Sequence, residues 1–106
     1  MGTLALQPGE YVAEHYHPYS EEFLFLVRGR VIVRVADADE IELAAGDGVM
    51  IPMGVRHRVW NADREEAYAV FHLSPLAPRP ELGHVDTEPP PGAGQREPQL
   101  EVGGPS

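Results

Sequence analysis

Cysteine is absent from the 106 residues, so disulfides and thiolate metal sites are excluded. Lysine is absent too, and all 8 basic residues are arginine. Asparagine occurs only at Asn61. This skew reads as the codon bias of a GC-rich genome and carries no chemistry. Basic charge is scarce overall, with a formal net charge of -9. Binding to nucleic-acid phosphates needs clustered Lys and Arg, so no nucleic-acid partner is expected. Long hydrophobic runs are lacking as well. The longest, Phe23 to Val27, is far too short to cross a bilayer, so no membrane association is expected. The N-terminus has no basic start followed by a long apolar run, so no signal peptide is read there and a cytoplasmic protein is expected. No window sustains a helical period, and no repeat recurs at solenoid spacing.

What remains is strand. Val31, Val33 and Val35 alternate with Ile32 and Arg34, a period of two. Ala36-Asp37-Ala38-Asp39 is a polar hairpin turn before Ile41-Glu42-Leu43. Val49 to Ile51, Arg58 to Trp60 and Tyr68 to Leu73 read as further strands. Short strands at close, turn-punctuated spacing predict an all-β sandwich or barrel. Phe23 to Val27 is apolar on both faces, so its outer face should be covered by another strand or by a second subunit. Few strands precede the first histidines. Both features lead to the expectation of a homodimer, with exchange of edge strands as one form it can take. From Pro75 onward proline and glycine dominate and large apolar residues are few. Such a segment buries too little surface to offset its ordering entropy. The expected organisation is one folded domain over 1–76 and a largely disordered tail over 77–106, with His84 solvated in it.

The chemistry-bearing residues lie in two short stretches. His15 and His17 are two apart, so on a strand both imidazoles point to one face. Glu22 follows a turn-like insert, and His57 follows a turn at Pro52 and Gly54. Three neutral imidazoles and one carboxylate suit Zn, Fe, Mn, Ni or Cu and leave positions open for water or substrate. Glu21 competes with Glu22 for the carboxylate role, but Glu22 shares a strand face with Leu24 and Leu26. His72 shares a face with Tyr68 and Val70. If that face lines the cavity, His72 is an acid/base candidate or a further ligand; on the outer face it is an ordinary strand histidine. Arg28, Arg30 and Arg34 read as outward strand charges. Trp60 alternates away from His57, Val59 and Asn61 and is expected at a subunit interface.

Gly9, five residues, His15-x-His17, four residues, Glu22, six residues and Gly29 resemble the first cupin motif. Gly46, five residues, Pro52-x-Gly54, two residues, His57, three residues and Asn61 resemble the second. Every position is filled with no departure in type or spacing, and the 16 residues Arg30 to Ala45 separate the two motifs. The resemblance implies a double-stranded β-helix (jelly-roll) barrel in which His15, His17, Glu22 and His57 hold one divalent metal ion (Zn, Fe, Mn or Ni). It also implies that Gly29, Gly46 and Gly54 serve turns. The segment His15 to Leu24 further resembles small cupins of aromatic polyketide pathways, a group that contains polyketide cyclases. That implies a small-molecule substrate and ring closure by aldol chemistry, for which His72 or a metal-bound hydroxide is the candidate catalytic base. An iron-dependent dioxygenase and a non-catalytic small-molecule-binding cupin are the alternatives.

Overall fold

The structure, a computed structural model, describes residues 1–89 together with the strand at 99–102. Ten strands form: β1 (Gly2–Leu6), β2 (Tyr11–Tyr16), β3 (Glu21–Arg28), β4 (Arg30–Val35), β5 (Glu40–Ala44), β6 (Gly48–Ile51), β7 (His57–Trp60), β8 (Ala67–Ser74), β9 (Val85–Asp86) and β10 (Gln99–Val102). The only helical turn among the described residues is a 3-10 turn at Pro80–Leu82. None of these residues forms a helix long and apolar enough to cross a membrane.

The strands make two five-stranded sheets, ordered β10-β1-β8-β3-β6 and β5-β4-β7-β2-β9, with every pairing antiparallel. Alternation sets the faces. Leu24 and Leu26 of β3, Val31 and Val33 of β4, Val59 of β7 and Ala67 and Ala69 of β8 point inward. Together with Leu4, Leu6 and Leu43 they form one core between the sheets. The double-stranded β-helix expected from the sequence is the observed architecture.

Two local features set the chain path. Gly29 joins β3 to β4 at φ +85°, where a Cβ would sit 2.6 Å from the Glu66 carbonyl oxygen and 2.8 Å from Ala67 Cα. Backbone approaches so closely here that only glycine fits. In β2, Val12 pairs with Val59 and His15 with His57, so three steps on one strand match two on the other. The extra residue is a β-bulge. It resets the parity of β2, letting Val12 and His15 both stand opposite inward residues of β7.

Two short strands fall within the stretch expected as a tail, 77–106. β9 pairs with β2 and β10 pairs with β1, each adding an edge strand to its sheet. Backbone pairing to an existing strand supplies what the segment's poor apolar content does not. Residues 90–98 and 103–106, the rest of the expected tail, lie outside the described residues. Arg28 and Arg30 point outward as expected and pair with Glu66 and Glu42.

Candidate metal centre

His15 lies on β2, His17 one residue past its end, Glu22 at the start of β3 and His57 at the start of β7. The cluster therefore draws on both sheets and sits between them at one end of the core. All four side chains are buried, and one ligand atom from each lies within 4.8 Å of the others. Glu21 is exposed, which leaves Glu22 as the inward carboxylate beside Leu24.

Each imidazole is held from behind. Nδ1 of His15 bonds to the Ala13 carbonyl (2.7 Å), Nδ1 of His57 to the Val55 carbonyl (3.0 Å) and Nδ1 of His17 to the Gly83 carbonyl (2.8 Å). A carbonyl only accepts, so Nδ1 carries the hydrogen and the lone pair of a neutral ring is at Nε2. The Nε2 atoms of His17 and His57 lie 2.9 and 3.1 Å from Glu22 Oε1. Neutral rings would set lone pairs against a carboxylate oxygen there. A cation between them turns that repulsion into coordination, so this donor set fits a divalent metal ion.

The electrostatics follow from burial and these contacts. Burial, reinforced by the neighbouring His57, pushes His15 down to about 3. For Glu22 burial acts upward, yet the bonds to His17 and His57 outweigh it and hold the carboxyl at about 2. Burial lowers His17, but its bonds to Glu22 and Gly83 win and leave it raised. Glu22 is thus held ionised, and His15 is held neutral and ready to donate a lone pair.

His72 is not at this cluster. The inward residues of β8 are Ala67 and Ala69, so Tyr68, Val70 and His72 occupy the opposite face and His72 is exposed. Of the two faces the sequence left open for His72, strand parity gives it the outer one. The further imidazole beside the cluster is His84. Its ring lies flat on His15, with centroids 4.2 Å apart and planes 8° apart, and meets His17 edge-on at 5.6 Å. It is exposed on its other side and bonds through Nε2 to Asp86 Oδ1 (2.7 Å). Its position in a proline-rich stretch gave no signal for this; only the fold brings it back to His15. Asn61, the last residue of the second motif, is a brace. Fully buried, its side-chain amide donates to the Leu6 and Glu65 carbonyls (2.9 and 2.7 Å), and its oxygen accepts from the Asp63 amide (2.9 Å). Trp60 is half-buried, under the Arg58 guanidinium at 4.9 Å.

Comparison with known proteins agrees with this geometry. Residues 2–73 match the family described as Cupin domain. The chain is 57% identical over 90 residues to the polyketide synthase CurC of Streptomyces cyaneus, covering 85% of this chain and 58% of that protein. It is 47% identical over 100 residues to the tetracenomycin polyketide synthase protein TcmJ of Streptomyces glaucescens, covering 94% of this chain and 66% of that protein. The chain thus spans about 58–66% of the length of these relatives. Among solved structures, the TT1209 protein from Thermus thermophilus superposes with a TM-score of 0.65 at 32% identity over 69% of each chain. A recombinant oxalate oxidase in complex with glycolate superposes at TM-score 0.70 and 24% identity over 79% of this chain and 43% of that one, a likeness of fold alone. Two facing antiparallel sheets, two complete motifs and a family match over residues 2–73 place this chain in the cupin family.

Proposed function

We propose that this cupin is a cytoplasmic, metal-dependent enzyme acting on a small molecule, and specifically a polyketide cyclase that closes a ring by intramolecular aldol reaction of a poly-β-ketone. The observation that carries the reading is a buried cluster of three imidazoles and one carboxylate in a chain 57% identical to a polyketide synthase protein. His15, His17, Glu22 and His57 would hold one divalent ion, leaving a formal charge of +1 at the site. Such an ion, when bound, supplies Lewis-acid polarisation of a carbonyl oxygen, which acidifies the neighbouring CH₂. The chain's own residues do the rest. Glu22 stays ionised at neutral pH, and the carbonyls of Ala13, Val55 and Gly83 hold the three rings in one tautomer. The barrel would fold the flexible substrate so that its reacting carbons meet, and such positioning supplies much of the rate of an intramolecular reaction. His72, on the outer face, takes no part at this cluster.

The test is His57→Ala and Glu22→Ala, each assayed for metal content and for cyclised product from a poly-β-ketone. The native protein is expected to carry about one metal ion per chain, and each variant to lose most of it together with the product, because the remaining groups leave an ion under-coordinated. Variants that lose metal yet cyclise at the native rate would overturn the Lewis-acid reading. Native protein that consumes dioxygen and forms no ring would put an iron-dependent dioxygenase in its place. Native protein that binds the poly-β-ketone and never turns it over would leave a binding protein.

The reading includes a homodimer. Phe23 and Met50 pair across β3 and β6 on the outer face and are 41% and 54% exposed, with Val27 further along β3 at 46%. Apolar side chains grouped on one sheet face are what a second copy would cover.

A further inference from the structure

The three imidazoles are not anchored alike. His15 and His57 bond to carbonyls only two residues away. The anchor of His17, the Gly83 carbonyl, lies 66 residues further along the chain, between the 3-10 turn and β9. The same segment lays His84 on His15, and Asp86, the hydrogen-bond partner of His84, pairs directly across from His15 in the β2–β9 register. Residues 80–88 therefore touch two of the four cluster side chains from outside.

What holds this segment on the barrel is separate from what it touches. The Thr87 amide donates to the Glu14 carbonyl (2.8 Å), and the Thr87 hydroxyl donates to Glu14 Oε1 (2.8 Å). Glu88 Oε1 accepts from Arg58 Nε (2.8 Å) and from the Glu14 amide. Arg34 and Arg56 also reach the Glu14 carboxylate, so it is fixed from three sides. Thr87 and Glu88 make a latch on β2 and β7 that leaves the cluster itself untouched.

We propose that residues 80–88 form a strap that belongs to the metal centre, with Gly83 and His84 as positioning residues and Thr87 and Glu88 as the latch that sets how tightly the ion is retained. The proposal rests on the reading of the cluster as a metal site. Its physical basis is tautomer and orientation. With Nδ1–H bound to Gly83, His17 presents Nε2 in one direction; released, the ring turns and the tautomers interconvert. His84 blocks the equivalent motion of His15. Outer partners of this kind are worth about 10–100-fold in metal affinity. By linkage the effect is reciprocal, so ion binding tightens the strap by the factor with which the strap tightens the ion.

The test uses the full chain and Zn²⁺ as probe. Thr87→Val/Glu88→Ala is expected to weaken the Zn²⁺ Kd by about tenfold, and Thr87→Ser, which keeps the hydroxyl, to stay near wild type. In the wild-type protein, adding Zn²⁺ is expected to slow hydrogen exchange at the Thr87 and Gly83 amides, a coupling that a merely structural strap would not show. A double variant that binds Zn²⁺ within about twofold of wild type, or wild-type exchange indifferent to Zn²⁺, overturns the proposal. If the double variant does not fold, the wild-type exchange result decides alone. Wild-type protein that takes up no divalent metal at all overturns the metal reading instead, and the strap proposal with it.

Discussion

One buried carboxylate faces three buried imidazoles, so protonation governs the metal-free cluster. His15 binds a proton in the fold only near pH 3, whereas the unfolded chain binds it near its ordinary 6.5. The stability this contributes is complete above that ordinary value and is lost as pH falls toward the folded one. Glu22, lowered to about 2 from an ordinary 4.5, acts in the same direction over a lower window. His17 is raised and has the opposite sign: its contribution is present below 6.5 and is lost as pH rises through its folded value. His57 and His84 face the same point. Below about pH 6.5 the His15 and Glu22 contributions are lost, and the lowered Glu14 and Glu66 carboxyls act in the same direction, so metal-free protein should lose thermal stability steadily toward about pH 3. Thermal unfolding in chelator across that range checks this, and a flat profile would contradict it. Asn61 gives a second expectation at this scale. Asn61→Ala removes the side-chain bonds to the buried Leu6 carbonyl and to the part-buried Glu65 carbonyl and Asp63 amide, and should cost roughly 1–3 kcal/mol, measured by urea unfolding. The four cluster residues were legible because their spacing is fixed by two short motifs. The face of His72 stayed open in the sequence because the inward side chains of β8 are small alanines, so the apolar signal did not reveal which face was in. His84 was legible to no local pattern, since its contact with His15 is made only by the fold.

Among the elements, β3 to β8 were readable because each carries period-two alternation or a turn-bounded apolar run. β1 was not, because Gly2-Thr3-Leu4-Ala5-Leu6 is short and weak in β-branched residues. β9 and β10 are defined by their partners β2 and β1 rather than by composition. The bulge in β2 also left no signal, because period-two reasoning assumes unbroken parity, and the added residue is visible only against the register of β7. Gly29 offers the sharpest test of an element's requirement. An alanine there would meet both a strained φ and the Glu66 and Ala67 backbone. Gly29→Ala should therefore destabilise by more than the roughly 1 kcal/mol typical of a glycine effect alone. Gly54→Ala, also at positive φ but with nothing within 4 Å of its Cβ, should cost less. Chemical denaturation of the two variants side by side checks the ordering.

For the whole molecule, the two sheets differ in what they show to solvent. The outer face of β2, β4 and β7 is covered by charge: Arg34 and Arg56 on Glu14, and Arg58 on Glu88, Tyr11 and Trp60. The outer face of β3 and β6 instead carries Phe23, Val27 and Met50, and no ion pair reaches these side chains because they have no charge to offer. A net charge of -9 keeps copies apart at long range, so an association on this face has to come from apolar contact at short range, where salt screens the repulsion. The dimer should accordingly persist or tighten as salt rises. Phe23→Asp/Met50→Lys places polar groups on the face while leaving Leu24 and Ile51, the inward neighbours, in the core. Sedimentation at micromolar concentration should show the wild type as a dimer and the double variant as a monomer. Because both side chains point away from His15, His17, Glu22 and His57, the variant's metal content should match the wild type. A wild type that sediments only as a monomer at every salt concentration would refute the dimer. A variant that becomes monomeric and also loses its metal would show instead that the second copy helps to hold the site.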